Sequence, residues 1–502
     1  MRISTQMFYQ RSTENVMSQQ SKLSQQNQYM SAQKRVLTGS DDPVAISTIQ
    51  RLKQDISLGE QYIKNGEMAE TANSLEETVL AQTTNILQKV RELTVSAGNG
   101  TYNDQNREAI AIELENLRGE LIGLANSKDG NSQYIFAGYQ VDTQPFQENE
   151  FGSVDYHGDS GERNYKVGSG VLVQGNNSGS SIFTDIKEGN GTFVAEANLN
   201  NSGSGVINTA SVIDSKAASG FLDQDYTISI SESLPAGNPE YSVYGLKEEA
   251  VTGSANVKIS KIDLSDPSIG NVNPSGTYPA AGSDVDVAFF ATATPGEFEV
   301  QINGVSSLPA VYDSANTQAQ EITIDGISVE VEGLPDAGDQ YSLTKYVSPT
   351  LYTEGQSIEF NGIKTELKGD VDEFDSFTLR QSGSKDIFAT IQDTIDALRI
   401  PGEDGAAKAQ REMRLDMGRQ QVDNAMSNVT EIRTSVGARL LTVENQKESN
   451  LDFNLASKKT LSNLEDLDMA SAISEFSMQS SILEITQKTF VQMQNMSLFK
   501  LL

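Results

Sequence analysis

Apolar positions follow two different rhythms along this chain. Before about residue 145 and after about residue 385 they recur at threes, fours and sevens. Between those limits they alternate in twos. Tyr9, Val16, Leu23, Met30 and Leu37 fall at steps of seven, and the positions three and four later are polar: Ser12 and Thr13, Gln19 and Gln20, Gln26 and Asn27. This predicts a first helix that carries only half of a coiled-coil seam. Thr38-Gly39-Ser40-Asp41-Asp42-Pro43 is where it ends and the next begins. Gly39 suits a left-handed C-cap, Asp41 or Asp42 an N-cap, and Pro43 the first turn. Ile49, Ile56, Ile63, Val79, Ile86 and Leu93 predict a long helix over about 43–97, with Gly59 and Gly66 as candidate breaks. Ile110, Leu114, Leu117, Leu121 and Leu124 predict a third.

The C-terminal half mirrors this. Ile387, Ile391, Ile395 and Leu398 make a short helix stopped by Pro401-Gly402. Leu415, Val422, Val429, Val436 and Val443 are consecutive heptad positions, with Met426 and Leu440 between them. That stripe is the expected partner of the 43–127 hairpin, and Val422, Val429, Val436, Gly437, Arg439 and Val443 are its expected packing residues. Gly418 and Gly437 lie inside it, each costing about 1 kcal/mol against Ala, so close helix contact is expected at both. The last stretch carries Met469, Ile473, Phe476, Leu483, Phe490 and Met493, with Ile482 and Ile485 nearby. It offers the apolar surface that the first helix lacks.

Burying Val16, Leu23, Met30 and Leu37 is worth ~1.5–3 kcal/mol each. Ordering roughly 35 residues costs on the order of 1–2 kcal/mol per residue in backbone entropy. The terminal arms, 1–42 and 461–502, are therefore expected to be disordered in a free subunit and to order as coiled coils on neighbours. Tyr9, Val16, Leu23, Met30 and Leu37, with Ile473, Phe476, Leu483, Phe490 and Met493, are the expected assembly surface.

In the middle, Tyr226, Ile228 and Ile230 alternate with polar residues, as do Phe298, Val300 and Ile302. Asn303-Gly304, Asp325-Gly326 and Asn361-Gly362 are hairpin signals. Residues 322–343 match 358–379 without a gap: Ile322-Thr323-Ile324-Asp325-Gly326-Ile327 with Ile358-Glu359-Phe360-Asn361-Gly362-Ile363, then Asp339, Tyr341 and Leu343 with Asp375, Phe377 and Leu379. Each copy reads as a hairpin and a third strand. The fold class is therefore α+β and multidomain. N- and C-terminal helices pair in a coiled-coil or helical-bundle stem (43–175, including a β-hairpin, and 385–460). An acidic β-rich outer region, a β-sandwich or small barrels, is inserted over 176–384.

Charge fits that division. The formal net charge is −32, and most of it falls between residues 131 and 385. Nucleic acid is not an expected partner of such a surface. The chain has no Cys, and His157 is its one His, so neither a thiolate nor a paired-His metal site can form. His157 reads as a loop residue. Asp370, Asp372, Glu373 and Asp375 lack the closing Glu of a calcium loop, the position being Gln381. No catalytic, cofactor or metal site is expected, and the chain reads as a non-enzyme. No apolar run is long enough to span a bilayer, and no signal-peptide core opens the chain, so membrane insertion is not expected and export would need another route.

The segments Met1-Arg2-Ile3-Ser4-Thr5-Gln6-Met7-Phe8, Val36-Leu37-Thr38 with Gly39, Ser40, Asp41, Asp42 and Pro43, Tyr134-Ile135-Phe136-Ala137-Gly138, and Val436-Gly437-Ala438-Arg439 resemble the hook-associated protein 3 family of the flagellin superfamily. The likeness covers about 1–146 and 405–502. It implies a secreted structural subunit at the hook–filament junction of the bacterial flagellum, exported by the flagellar type III system. The partners it implies are copies of the chain in a ring, a second junction protein, flagellin, and a cytoplasmic export chaperone on the C-terminal helix. A minor flagellin, or an exported adhesin on flagellin-like arms, is the alternative. The Asp41-Asp42-Pro43 loop argues against the first.

Overall fold

The carboxylate of Asp42 accepts the Ala45 N–H at 2.9 Å and so starts the second helix, with Pro43 as its first residue. In the computed structural model, residues 5–99, 102–150, 152–198, 200–222, 224–232, 238–263, 284–308, 310–316, 318–324, 326–402 and 404–498 are described. Their α-helices are α1 (Thr5–Ala32), α2 (Pro43–Ala97), α3 (Asp104–Ala125), α4 (Ser215–Ala218), α5 (Ile387–Leu398), α6 (Gly405–Glu465) and α7 (Met469–Leu498). α2 runs unbroken through Gly59 and Gly66. α1 stops earlier than its heptads suggest, and Leu37 lies beyond it. The left-handed residue after α1 is Gln33, at φ 56°, and Gly39 is not in that region. The stop is imposed from elsewhere in the chain: the Arg35 N–H donates to the Glu465 carbonyl at 2.7 Å.

The chain divides into two units, 1–74 with 164–175 and 438–502, and 75–163 with 176–437. In the first, the hairpin of strands Asn164–Gly168 and Val171–Gln174 packs Val167 and Val173 against Ala69 of α2 and Val443 of α6. The Asn450 and Asn65 amides hold it by donating to the Val167 and Lys166 carbonyls, each at 2.8 Å. A second apolar layer joins Val36, Ala45 and Ile49 to Leu461 and Leu464. Between these layers α6 buries the polar Asn454 and Ser457, while α2 buries Ile56 and Tyr62. A Cβ added at Gly59 would overlap the buried Asn454 amide, whose nitrogen and oxygen have no partner among the described residues.

In the second unit, Leu415, Val422, Val429 and Val436 are all buried, as the heptads require. Arg433 pairs with Glu77 at 2.7 Å and Arg399 with Glu108 at 2.8 Å. α3 is capped by the Asn103 side chain and buries Leu114 and Leu121. Gly418 meets the expectation of close contact, since a Cβ there would strike Thr394 of α5. Gly437 does not: nothing lies within 4 Å of its Cβ position. The Ile135-Phe136-Ala137 segment is buried, and Phe136, Phe146, Phe183 and Phe388 form an aromatic cluster with ring centroids 5.3–5.9 Å apart.

The β-rich part of this unit is built on one nine-stranded sheet with two small sheets against it, and no closed barrel occurs among the described residues. Tyr241 and Val243 belong to one core and Tyr244 and Leu246 to the other. Strand neighbours point to opposite faces, so the two small sheets cover opposite faces of the shared one. This explains why Thr227 and Ser229 are buried as well as Tyr226, Ile228 and Ile230. Each repeat's hairpin, 320–332 and 357–368, lies in a small sheet, while its third strand crosses into the large one. Asn303-Gly304 and Asn361-Gly362 turn with both φ positive, as type I′ hairpins require; Asp325 lies outside the described residues.

The repeat extends to a duplicated loop. Asp339 accepts the N–H groups of Thr252, Gly253 and Asp336 at 2.8, 3.3 and 2.8 Å. Asp375 does the same for Ser202, Gly203 and Asp372 at 2.8, 3.2 and 2.9 Å. Tyr312 donates to the Gly333 carbonyl and Tyr352 to that of Gly369. Gly338, at φ 101°, corresponds to Phe374, which holds φ 72° without being a glycine.

Candidate assembly interface

The arms belong to the first unit. On α1 Ser12, Val16, Gln19, Leu23, Gln26 and Met30 are half-buried in alternating steps of four and three, with Tyr29 half-buried beside Met30. On α7 Ala472 is buried, and Phe476, Gln479, Leu483, Thr486 and Phe490 are half-buried at the same rhythm. α1 and α7 pack on one another. The Leu467 N–H donates to the Gln33 carbonyl at 3.1 Å, which joins the end of α1 to the start of α7 and makes the pair antiparallel. Every second seam position of α1 is polar, so apolar burial comes in isolated rungs.

Of the residues expected at the assembly surface, Val16, Leu23, Met30, Phe476, Leu483 and Phe490 therefore lie in a seam within the chain. Leu37 is half-buried in the linker. Tyr9 and Met493 sit on helical backbone, with side chains outside the described residues. Ile473 is exposed on a different side of α7. A second α7 stripe went unread in the heptads: Met478, Ile482 and Ile485, also spaced four and three, are 59 %, 40 % and 63 % exposed. Its signal was present as the pair Ile482 and Ile485, but a helix apolar on several sides does not declare which side its own chain covers.

The linker between α1 and α2 has a built geometry. The Asp41 carboxylate accepts the Leu37 and Thr38 N–H groups at 3.0 and 2.8 Å, and these backbone bonds, led by that from Thr38, hold its carboxyl below the ordinary value. Thr38 and Ser40 hydroxyls share a hydrogen bond at 2.8 Å. Asp41 thus fixes the loop and Asp42 caps α2. Gly39 is open, with nothing within 4 Å of its Cβ position. Among the stem residues, Val443 is buried and Arg439 half-buried on α6.

No group of three or more metal-ligating side chains occurs among the described residues, and no described helix is long and apolar enough to cross a membrane. His157 is exposed in a loop. The Asp375 carboxylate is occupied by backbone N–H groups.

Comparison with known proteins agrees with this architecture. Residues 3–141 match the bacterial flagellin N-terminal helical region. The chain is 39% identical over 186 residues to flagellar hook-associated protein 3 of Salmonella typhimurium, covering 37% of this chain and 58% of that one. To the Escherichia coli (strain K12) protein of the same name it is 42% identical over 148 residues, 30% of this chain and 47% of that one. The chain thus spans about half the length of the curated relatives it matches. A solved flagellar hook-associated protein-3 from Legionella pneumophila superposes with a TM-score of 0.60 at 25% identity, over 83% of this chain and 98% of that one.

Proposed function

We propose that this chain, similar to flagellar hook-associated protein 3 in sequence and fold, is a secreted structural subunit of the hook–filament junction of the bacterial flagellum. Its work is assembly rather than catalysis. The observation that carries this reading is the unfinished pairing of the arms. α1 contributes a seam in which Ser12, Gln19 and Gln26 interrupt Val16, Leu23 and Met30, and α7 keeps Met478, Ile482 and Ile485 uncovered. A two-helix pair with so little apolar burial holds its shape weakly alone, since helices of this kind draw their stability from packing. Neighbouring subunits supply the missing surface.

On this reading copies of the chain form a ring layer, with a second junction protein and flagellin on its two sides. The arms pass from weak to full order as they dock. Before export a cytoplasmic chaperone covers α7. The acidic β-rich region faces outward. Deleting residues 1–40 tests the proposal: the truncated chain should be absent from purified hook–filament junctions while the Leu114–Leu121 helical core stays folded by circular dichroism. A truncated chain that still joins hook to filament overturns it.

A further inference from the structure

The linker after α1 and helix α2 meet at a single carboxylate, on the residue that precedes the linker into α7. The Glu465 side chain, at the end of α6, is 9% exposed, and its Oε1 lies 2.5 Å from Lys34 Nζ and 2.7 Å from Lys53 Nζ. Lys34 comes from the linker after α1, and Lys53 from α2. The backbones around this carboxylate are cross-tied. The Arg35 N–H donates to the Glu465 carbonyl at 2.7 Å, and the Leu467 N–H to the Gln33 carbonyl at 3.1 Å. Arg35 also donates from Nη2 to the Leu464 carbonyl at 3.0 Å. Beneath them Val36 is buried in the layer of Ala45, Ile49, Leu461 and Leu464. Asp466 is turned aside, accepting from the Ser462 hydroxyl at 2.5 Å, and Asp42 lies 4.0 Å from Arg35.

We propose that Glu465 is a latch that fastens both linkers to the α2–α6 pair as one joint. Two cations drawn from separate elements onto one largely desolvated carboxylate make a three-way tie, stronger than an exposed ion pair. Its position matters more than its strength. The tie falls where α1 ends and α7 begins, so both arms leave the stem from one point. That common origin fixes their antiparallel register. Arms that fray along their length still start from this point and re-zip in the same register. The latch thus answers a hazard of a half-polar seam, whose few apolar rungs hold the helices together only weakly.

The proposal concerns the full-length chain by itself and does not depend on the junction reading. Hydrogen–deuterium exchange with mass spectrometry tests it on the wild type, Glu465→Gln and Lys34→Gln. In the wild type, the Arg35 and Leu467 amides should exchange far more slowly than those of the arms. Glu465→Gln should accelerate both linkers together by at least tenfold, with amides around Val443 unchanged. Lys34→Gln removes a half-exposed partner, leaves Lys53 on the carboxylate, and should accelerate the same two amides by a smaller factor. The proposal is overturned if Glu465→Gln accelerates one linker alone or neither. If that variant does not fold, it is overturned by Lys34→Gln exchanging like the wild type. Failure of the variants' incorporation into flagella would bear on the junction reading and leave the exchange pattern as it is.

Discussion

Replacing Ile482 and Ile485 by Gln separates assembly from folding. Both lie on the uncovered stripe of α7, 40% and 63% exposed, so together they leave about one whole isoleucine side chain in water. Covering that much apolar surface is worth ~1.5–3 kcal/mol. Since 1.4 kcal/mol is tenfold in an equilibrium constant, the double variant should bind its site roughly 10- to 100-fold more weakly. The fold should be indifferent. Gln is a good helix former, and surface substitutions of this kind stay within about 0.5 kcal/mol. Leu483→Gln is the control, because Leu483 sits in the α1 seam and its loss should weaken the arm pair as well. The assay is junction occupancy, read by immunoblot of purified hooks from cells that lack their own copy, as expression of each variant is raised. The double variant should need roughly 10- to 100-fold more protein for equal occupancy, with an unchanged thermal melt. Occupancy equal to wild type at matched expression would refute the claim that this stripe is covered on assembly.

The glycines of α6 should part company: Gly437→Ala gains about 0.5–1 kcal/mol of stability because its Cβ meets nothing, while Gly418→Ala loses stability against Thr394, both read by chemical denaturation. Gly59→Ala should destabilise the chain through the Asn454 amide despite alanine's better helix propensity, and adding Asn454→Ala should restore stability; an additive pair would rule out the contact. Asp339→Asn should cost about 2–3 kcal/mol near pH 6, since a charge-assisted acceptor of three N–H groups is lost. Burial pushes the Asp339 carboxyl up, but the N–H groups of Thr252, Asp336 and Gly253 outweigh it and hold the carboxyl below the ordinary value. Its stabilisation is therefore present above the unfolded value of about 4 and is lost as the pH falls through the lower folded one. The gap between wild type and Asp339→Asn should accordingly narrow as the pH falls below about 4 in denaturant titrations.

What was legible in the sequence was whatever a single element decides by its own periodicity. The valines at 422, 429, 436 and 443 are buried because a seven-residue repeat leaves a helix no other face to bury. Asn361-Gly362 turns as expected because only a few residues accept positive φ at both central positions. What could not be read was decided between distant segments. Gln33 takes the left-handed position that Gly39 was suited to, because the Glu465 carbonyl captures Arg35 first, and no local preference of Gln announces it. Ile322–Ile327 and Ile358–Ile363 declared their hairpins, but not that Asp339 and Asp375 would reach back to 252–253 and 202–203, because those loops share no sequence pattern with their carboxylates. α7 is the sharpest case. Phe476, Leu483 and Phe490 and the trio Met478, Ile482 and Ile485 are equally good helical stripes, so periodicity alone had no means of choosing between them. α1 chooses. By covering the first set with its sparse rungs, it leaves the second exposed. The polar residues Ser12, Gln19 and Gln26 then have a consequence beyond α1: a fully apolar α1 seam would bury more surface against α7 and hold the arm pair closed by itself.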